Sequence, residues 1–106
     1  MKDALIRHLF DAYPRIFAND RDGIAGLPPE RRIACGDGWY PLLDALCEAL
    51  QWDTDHDGAP QIVVVQVKHK LGSMRVAAFG PRTARQDGMM RMAALLSTRI
   101  PQEAAA

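Results

Sequence analysis

Hydrophobic positions along this chain follow two rhythms. Between Asp3 and Tyr13 they recur at Leu5, Ile6, Leu9, Phe10 and Tyr13, a helical spacing. Pro14 closes that run, because it has no N–H to donate and restrains the residue before it. Leu42, Leu43, Leu46, Cys47 and Leu50 repeat at the same period and predict a second helix, with Trp39 and Trp52 near its two ends. Met89, Met92, Ala93, Leu96 and Ile100 predict the buried face of a third helix, opened by a Thr83–Gln86 capping box and stopped by Pro101. The stretch from Gln61 to Gly80 changes rhythm: its valines at 63, 64, 65, 67 and 76 are β-branched and favour a pleated backbone.

Gly72 interrupts this apolar run where a reversal would fall, so a β-hairpin is expected to turn through Lys70 to Ser73. That register sets Lys68 opposite Arg75, Val67 opposite Val76 and Val65 opposite Ala78, which makes one face consistently apolar. A lone ribbon is marginal in water and needs helices on one face. The expected fold is therefore α+β: three helices packed on one face of a small antiparallel sheet, in the order α-α-β-β-α. A third strand from Arg31 to Cys35 has room at the hairpin edge.

Asp37 is expected to cap the second helix, and Pro41 suits its first turn. Gly88 inside the third helix costs about 1 kcal/mol relative to alanine, and a close approach of helix to hairpin would explain it. Residues 18–32, with Gly23, Gly26 and Pro28-Pro29, read as a flexible surface loop that serves binding or simply moves. Asp53 to Pro60 reads as an acidic loop, and residues 102–106 as a frayed tail.

Composition narrows the class. With 106 residues, 48% of them hydrophobic and 25% charged, residues 1–106 fit one globular domain able to bury a core without disulfide or metal. No apolar run nears the roughly 18 residues of a membrane span. The opening MKDALIRHLFDAY alternates charge with hydrophobe and reads as an amphipathic helix rather than a signal peptide. Cys35 and Cys47 form no secreted-type framework, so a reducing, cytoplasmic setting is expected.

Charge changes the picture more. The net charge is zero, yet residues 1–60 carry six Lys/Arg against eleven Asp/Glu, and residues 61–106 carry seven against two. The halves are at −5 and +5, a dipole that either marks a surface for a charged partner or draws the halves together.

Candidate chemistry starts with the hairpin cations Lys68, Lys70 and Arg75, which Arg82 and Arg85 follow. Like charges opposed across a ladder are unfavourable by about 0.2–1 kcal/mol, so an anion between them would be welcome. The reading as a phosphate or acidic-protein contact stands beside a plainer one, a solvated face or pairing with the chain's own acids such as Asp37 or Asp44. Asp53-Thr54-Asp55-His56-Asp57-Gly58 copies the opening of a calcium loop, but its twelfth position is Val64 where a glutamate should stand. Cys35, Cys47, His56 and His69 match no paired zinc spacing. Cys35 beside a helix start is a candidate low-pKa thiol without a placed histidine partner. Met89, Met90 and Met92 offer an adaptable face or, with two of them on the core stripe, ordinary packing. No catalytic residue, cofactor or metal site is expected.

Two stretches together, Cys35-Gly-Asp-Gly-Trp39 and Val67-Lys68-His-Lys70-Leu71-Gly72-Ser-Met74-Arg75, resemble a group of small, functionally uncharacterised phage and prophage proteins. That group pairs a CGDGW element with a strand reading V-K-x-K-F-G-x-L-R. Leu71 and Met74 depart from it conservatively. A cysteine-rich, zinc-ribbon-like segment often follows in that group; here Thr98-Arg-Ile-Pro-Gln-Glu103 carries no cysteine.

The resemblance implies a mobile-element origin and no fixed activity. Asp37, Trp39 and Gly72 have structural explanations, whereas Lys68, Lys70 and Arg75 do not. The expected function is a non-enzymatic binding protein meeting a host protein, with an anti-defence inhibitor of a nucleic-acid-targeting complex as its specific form. The alternative is a nucleic-acid-binding module using the same cations with Arg91, against which stand zero net charge and the lack of interleaved aromatics.

Overall fold

The computed structural model describes residues 1–18 and 28–103. Their element order is α1 (Asp3–Ala12), α2 (Pro29–Arg32), β1 (Ile33–Ala34), a 3-10 turn (Asp37–Trp39), α3 (Tyr40–Asp57), β2 (Val63–Lys70), β3 (Ser73–Phe79) and α4 (Ala84–Ser97). The three long helices are those the apolar periodicity predicts. The sheet has three strands in the order β1-β2-β3.

It is mixed rather than antiparallel, because β1 runs parallel to β2, with Ile33 opposite Val67 and Ala34 opposite Lys68. The reason is topological. β1 feeds α3, and the helix carries the chain back so that β2 starts in the direction β1 did, which is the crossover that parallel pairing requires.

β2 and β3 form the expected hairpin, with Lys70 opposite Ser73, Lys68 opposite Arg75 and Val67 opposite Val76. Leu71 and Gly72 both take positive φ, 53° and 77°, as the tight two-residue reversal demands. Beyond Gln66 the register departs from expectation. Val64, not Val65, lies opposite Ala78, and Val65 is the extra residue of a bulge.

The bulge has a cause in Arg32, which is 1% exposed. Its guanidinium donates to Val64 O at 2.6 Å, Val65 O at 3.4 Å and Phe17 O at 2.9 Å. In a regular strand successive carbonyls point to opposite sides; the bulge turns two of them toward one donor. Phe10 and Phe17 stack on each other and hold their rings 5.1 and 5.9 Å from the same guanidinium. Arg32 thus welds α2, the turn after α1 and β2 together.

One buried cluster joins Ile6 and Leu9 of α1, Leu43, Leu46, Cys47 and Leu50 of α3, Ala93 of α4 and Val64, Val67 and Met74 of the sheet. Burying each large aliphatic side chain stabilises by about 1.5–3 kcal/mol. Among the described residues the opposite face of the sheet has no such cover.

Several expectations give way. Asp53 to Asp57 is the last turn of α3, not a loop, and Gly58 ends the helix at φ 71°. Pro29–Arg32 is helical, so part of the expected 18–32 loop is ordered; residues 19–27 lie outside the described ones. In α4 the buried positions are Gln86, Ala93 and Ser97, while Met92, Leu95 and Leu96 stay 57%, 50% and 39% exposed. Trp52 is likewise 53% exposed, stacked on His56 at 4.4 Å.

Gln102 is no frayed residue: Gly38 N–H donates to its carbonyl at 2.7 Å and Gly36 N–H to its side chain at 3.0 Å. The indole N–H of Trp39 donates to Ile100 O at 2.6 Å. The glycines are required here, since a Cβ on Gly36 or Gly38 would stand 2.2 Å from a backbone oxygen of Gln102 or Pro101. Residues 104–106 lie outside the described ones. No helix among the described residues is long and apolar enough to cross a membrane.

Candidate functional site

The uncovered face of the sheet is built by simple alternation. Along β3, Met74, Val76 and Ala78 turn toward the helices, and Arg75, Ala77 and Phe79 turn to solvent. Across the strands the register lines up Ile33, Val67 and Val76 on the inner face, and Ala34, Lys68 and Arg75 on the outer one. The short Ala34 beside Lys68 leaves the two cations unshielded on that side. Lys70 extends the row toward the turn and is also exposed.

The two-residue turn makes Lys68 and Arg75 a hydrogen-bonded pair. Their Cα atoms therefore stand about 5.5 Å apart with both side chains on one face. Among the described residues no carboxylate pairs with Lys68, Lys70 or Arg75. The acids considered as partners for them are occupied elsewhere. Asp37 accepts the backbone N–H of Lys2 at 2.7 Å and faces its ammonium at 3.7 Å. It makes no cap on the 3-10 turn or α3, so the expected capping role is replaced by a tether to the start of α1. Asp44 accepts from the Tyr13 hydroxyl at 2.6 Å, and burial together with this carboxylate pushes the tyrosine's pKa up.

The remaining cations part company with the row. Arg85 bridges Asp53 at 3.2 Å and Asp57 at 2.9 Å, tying the start of α4 to the end of α3. Arg82 pairs with Asp87 at 3.2 Å. The basic half thus meets the acidic half through Arg85, while the hairpin cations stay open to solvent. Of the five predicted site residues, Lys68, Lys70 and Arg75 share one surface; Arg82 and Arg85 are engaged in ion pairs at the α4 entrance. Sequence reasoning missed Arg32, whose place in a presumed loop hid its burial.

The other candidate chemistries find no geometry. Asp53, Asp55 and Asp57 sit on a helix, where alternate residues point about 200° apart and do not converge on a cation. Among the described residues no three His, Cys, Asp or Glu side chains gather to hold a metal ion. His56 lies on Trp52, and His69 stands 5.6 Å from the ring of Trp39.

Both cysteines are buried thiols. Burial pushes Cys35 up to about 11, the opposite of an activated nucleophile, and Cys47 up to about 12. A hollow of about 270 Å³ at the hairpin tip is bordered by Trp39, His69, Ser97, Thr98, Arg99 and Glu103, and the two hydroxyls there donate to Ala94 O and Leu95 O at 2.6 Å each rather than to His69.

What the arrangement can do is hold an anion: two stems side by side, with ammonium and guanidinium heads, over a flat strand surface. No family model matches the sequence, and comparison with curated proteins and with solved structures finds no match either.

Proposed function

We propose that this chain is a non-enzymatic binding protein that holds an acidic surface of a protein partner on the outer face of its sheet, through Lys68, Arg75 and Lys70. The observation carrying this reading is that two like charges are opposed on one strand pair and, among the described residues, no carboxylate pairs with either. Such a pair costs the fold about 0.2–1 kcal/mol, and an incoming carboxylate would relieve it. The CGDGW and V-K-x-K resemblance supports a narrower form: a small phage-type protein that inhibits a host nucleic-acid-targeting complex by contact with one of its proteins in the bacterial cytoplasm.

Nucleic-acid binding through the hairpin and α4 is less well supported, since Arg82 and Arg85 are spent on Asp87, Asp53 and Asp57. A pull-down from host lysate over a salt series tests both. The expected result is a retained protein partner that Lys68→Glu with Arg75→Glu releases. If the lysate gives nothing while immobilised DNA retains the chain, with affinity falling steeply as salt rises, the nucleic-acid reading replaces this one.

A further inference from the structure

β3 is an outer strand of the sheet, so one side of its backbone pairs with β2 and the other faces away. The tight turn decides which residues face which way. Ser73 pairs with Lys70, so Ser73, Arg75, Ala77 and Phe79 exchange hydrogen bonds with β2. Met74, Val76 and Ala78 then turn their N–H and C=O outward. The Met74 N–H fixes this phase, because it donates to the Ser97 hydroxyl of α4 at 2.8 Å. α4 thus seals the edge next to the turn. Among the described residues nothing bonds to the outward groups of Val76 and Ala78. The open piece, Val76 to Phe79, also lacks the charges and prolines that guard most sheet edges.

An edge of this kind takes an extended strand, and this one is complementary to itself. A twofold axis at Ala77 sets Val76 against Ala78 of a second copy, so the open groups of both copies satisfy one another in four hydrogen bonds. The neighbouring registers fail. Centring on Val76 calls on the Met74 N–H, which Ser97 already holds, and centring on Ala78 calls on Gly80, whose φ of 96° has left the strand. On the outer face the Ala77 register lays Arg75 against Phe79 of the other copy, with Cα atoms about 4.5 Å apart. Phe79 is 46% exposed and Arg75 has no carboxylate partner among the described residues, so each guanidinium gains a ring to lie on. The small Ala77 lets the strands approach at the axis. At the other edge β1 is only two residues long, so the pairing closes as a dimer rather than running on into a filament.

We propose that β3 pairs antiparallel with β3 of a second copy about Ala77, joining two sheets into one twofold dimer. The pairing goes beyond the acidic-partner reading and does not depend on it.

Sedimentation equilibrium of the full chain from about 5 to 500 µM should show monomer and dimer in exchange. Val76→Pro removes an outward N–H and no bond to β2, and should raise the dimer dissociation constant at least about tenfold. Ala77→Lys changes an exposed side chain and sets two ammonium groups together at the axis, so it should do the same with the circular dichroism unchanged. Under mild oxidation Ala77→Cys should form an intermolecular disulfide, whereas Leu71→Cys, at a position 87% exposed on the turn, should not. The native Cys35 and Cys47 are buried and do not compete. A monomer throughout that range, which would leave the edge to a strand of another protein, overturns the proposal. So does a dimer that neither Val76→Pro nor Ala77→Lys weakens, or equal cross-linking of the two cysteine variants.

Discussion

At the scale of single residues, Arg32 shows how a buried charge specifies local structure. Its donors satisfy carbonyls from two strand residues that would otherwise point apart, and the rings of Phe10 and Phe17 cover it. Removing the donor strands buried acceptors, at about 1–3 kcal/mol for each group left unsatisfied. Arg32→Met should therefore lower unfolding free energy by roughly 2–3 kcal/mol in urea. Arg32→Lys should recover part of that, because an ammonium reaches fewer of these carbonyls than a planar fork.

The cysteines make a second prediction, in pH. Both thiols have folded pKa values above their ordinary one of 9.0, about 11 for Cys35 and about 12 for Cys47, because burial disfavours thiolate. The unfolded chain then loses these protons first. Their contribution is fully present below about pH 9 and is lost as pH rises through the folded values. Unfolding free energy should fall from about pH 9 upward, and Cys47→Ala should flatten that fall in chemical denaturation at pH 8 and 10.5, whatever its offset at neutral pH.

At the scale of elements, the hairpin was the most legible part of the chain. Gly72 and the flanking alternation were enough to pair Lys68 with Arg75, since a two-residue turn leaves one register that keeps the valines on a single face. The bulge at Val65 was not legible, because its cause is Arg32, more than thirty residues away in sequence. The acidic end of α3 misled for a related reason: Asp53, Asp55 and Asp57 look like loop residues until Arg85 and Arg15 are seen pairing with them.

α4 misled in the other direction. Its periodic Met92 and Leu96 read as core, but the inner face is held by Gln86 and Ser97, which donate to Pro60 O at 2.7 Å and accept the Met74 N–H at 2.8 Å. Polar residues with good backbone partners displaced apolar ones from the inside. The CGDGW turn has its own element-scale test. Gly38→Ala would drive a methyl to 2.2 Å from the Pro101 carbonyl, so the C-terminal segment must lift away. Loss of the Trp39–Ile100 and Gly38–Gln102 hydrogen bonds should cost about 1–3 kcal/mol, and a red shift of tryptophan emission would report it.

For the whole molecule, the division into an acidic and a basic half resolves into two kinds of cation. Arg85 meets the acids of α3, and this internal pairing explains part of the dipole. Among the described residues Lys68, Lys70 and Arg75 take no part in it, since they lie on the outer face of the sheet. That separation was only half visible in the sequence. The register placed Lys68 beside Arg75, but the engagement of Asp37 with Lys2 and of Asp44 with Tyr13 depends on tertiary packing. Among the described residues these like charges share the outer sheet face with no carboxylate paired to them, and the proposed acidic partner rests on that arrangement.

The cleanest check on that claim is a denaturant titration comparing the wild-type chain with Lys68→Thr, a substitution that keeps strand propensity and removes the repulsion across the ladder. The account predicts an unfolding free energy unchanged or raised by about 0.2–1 kcal/mol, with Arg75→Thr behaving alike. A loss of more than about 1 kcal/mol would mean that these cations serve the fold itself, and the case for an external acidic partner would fall with it.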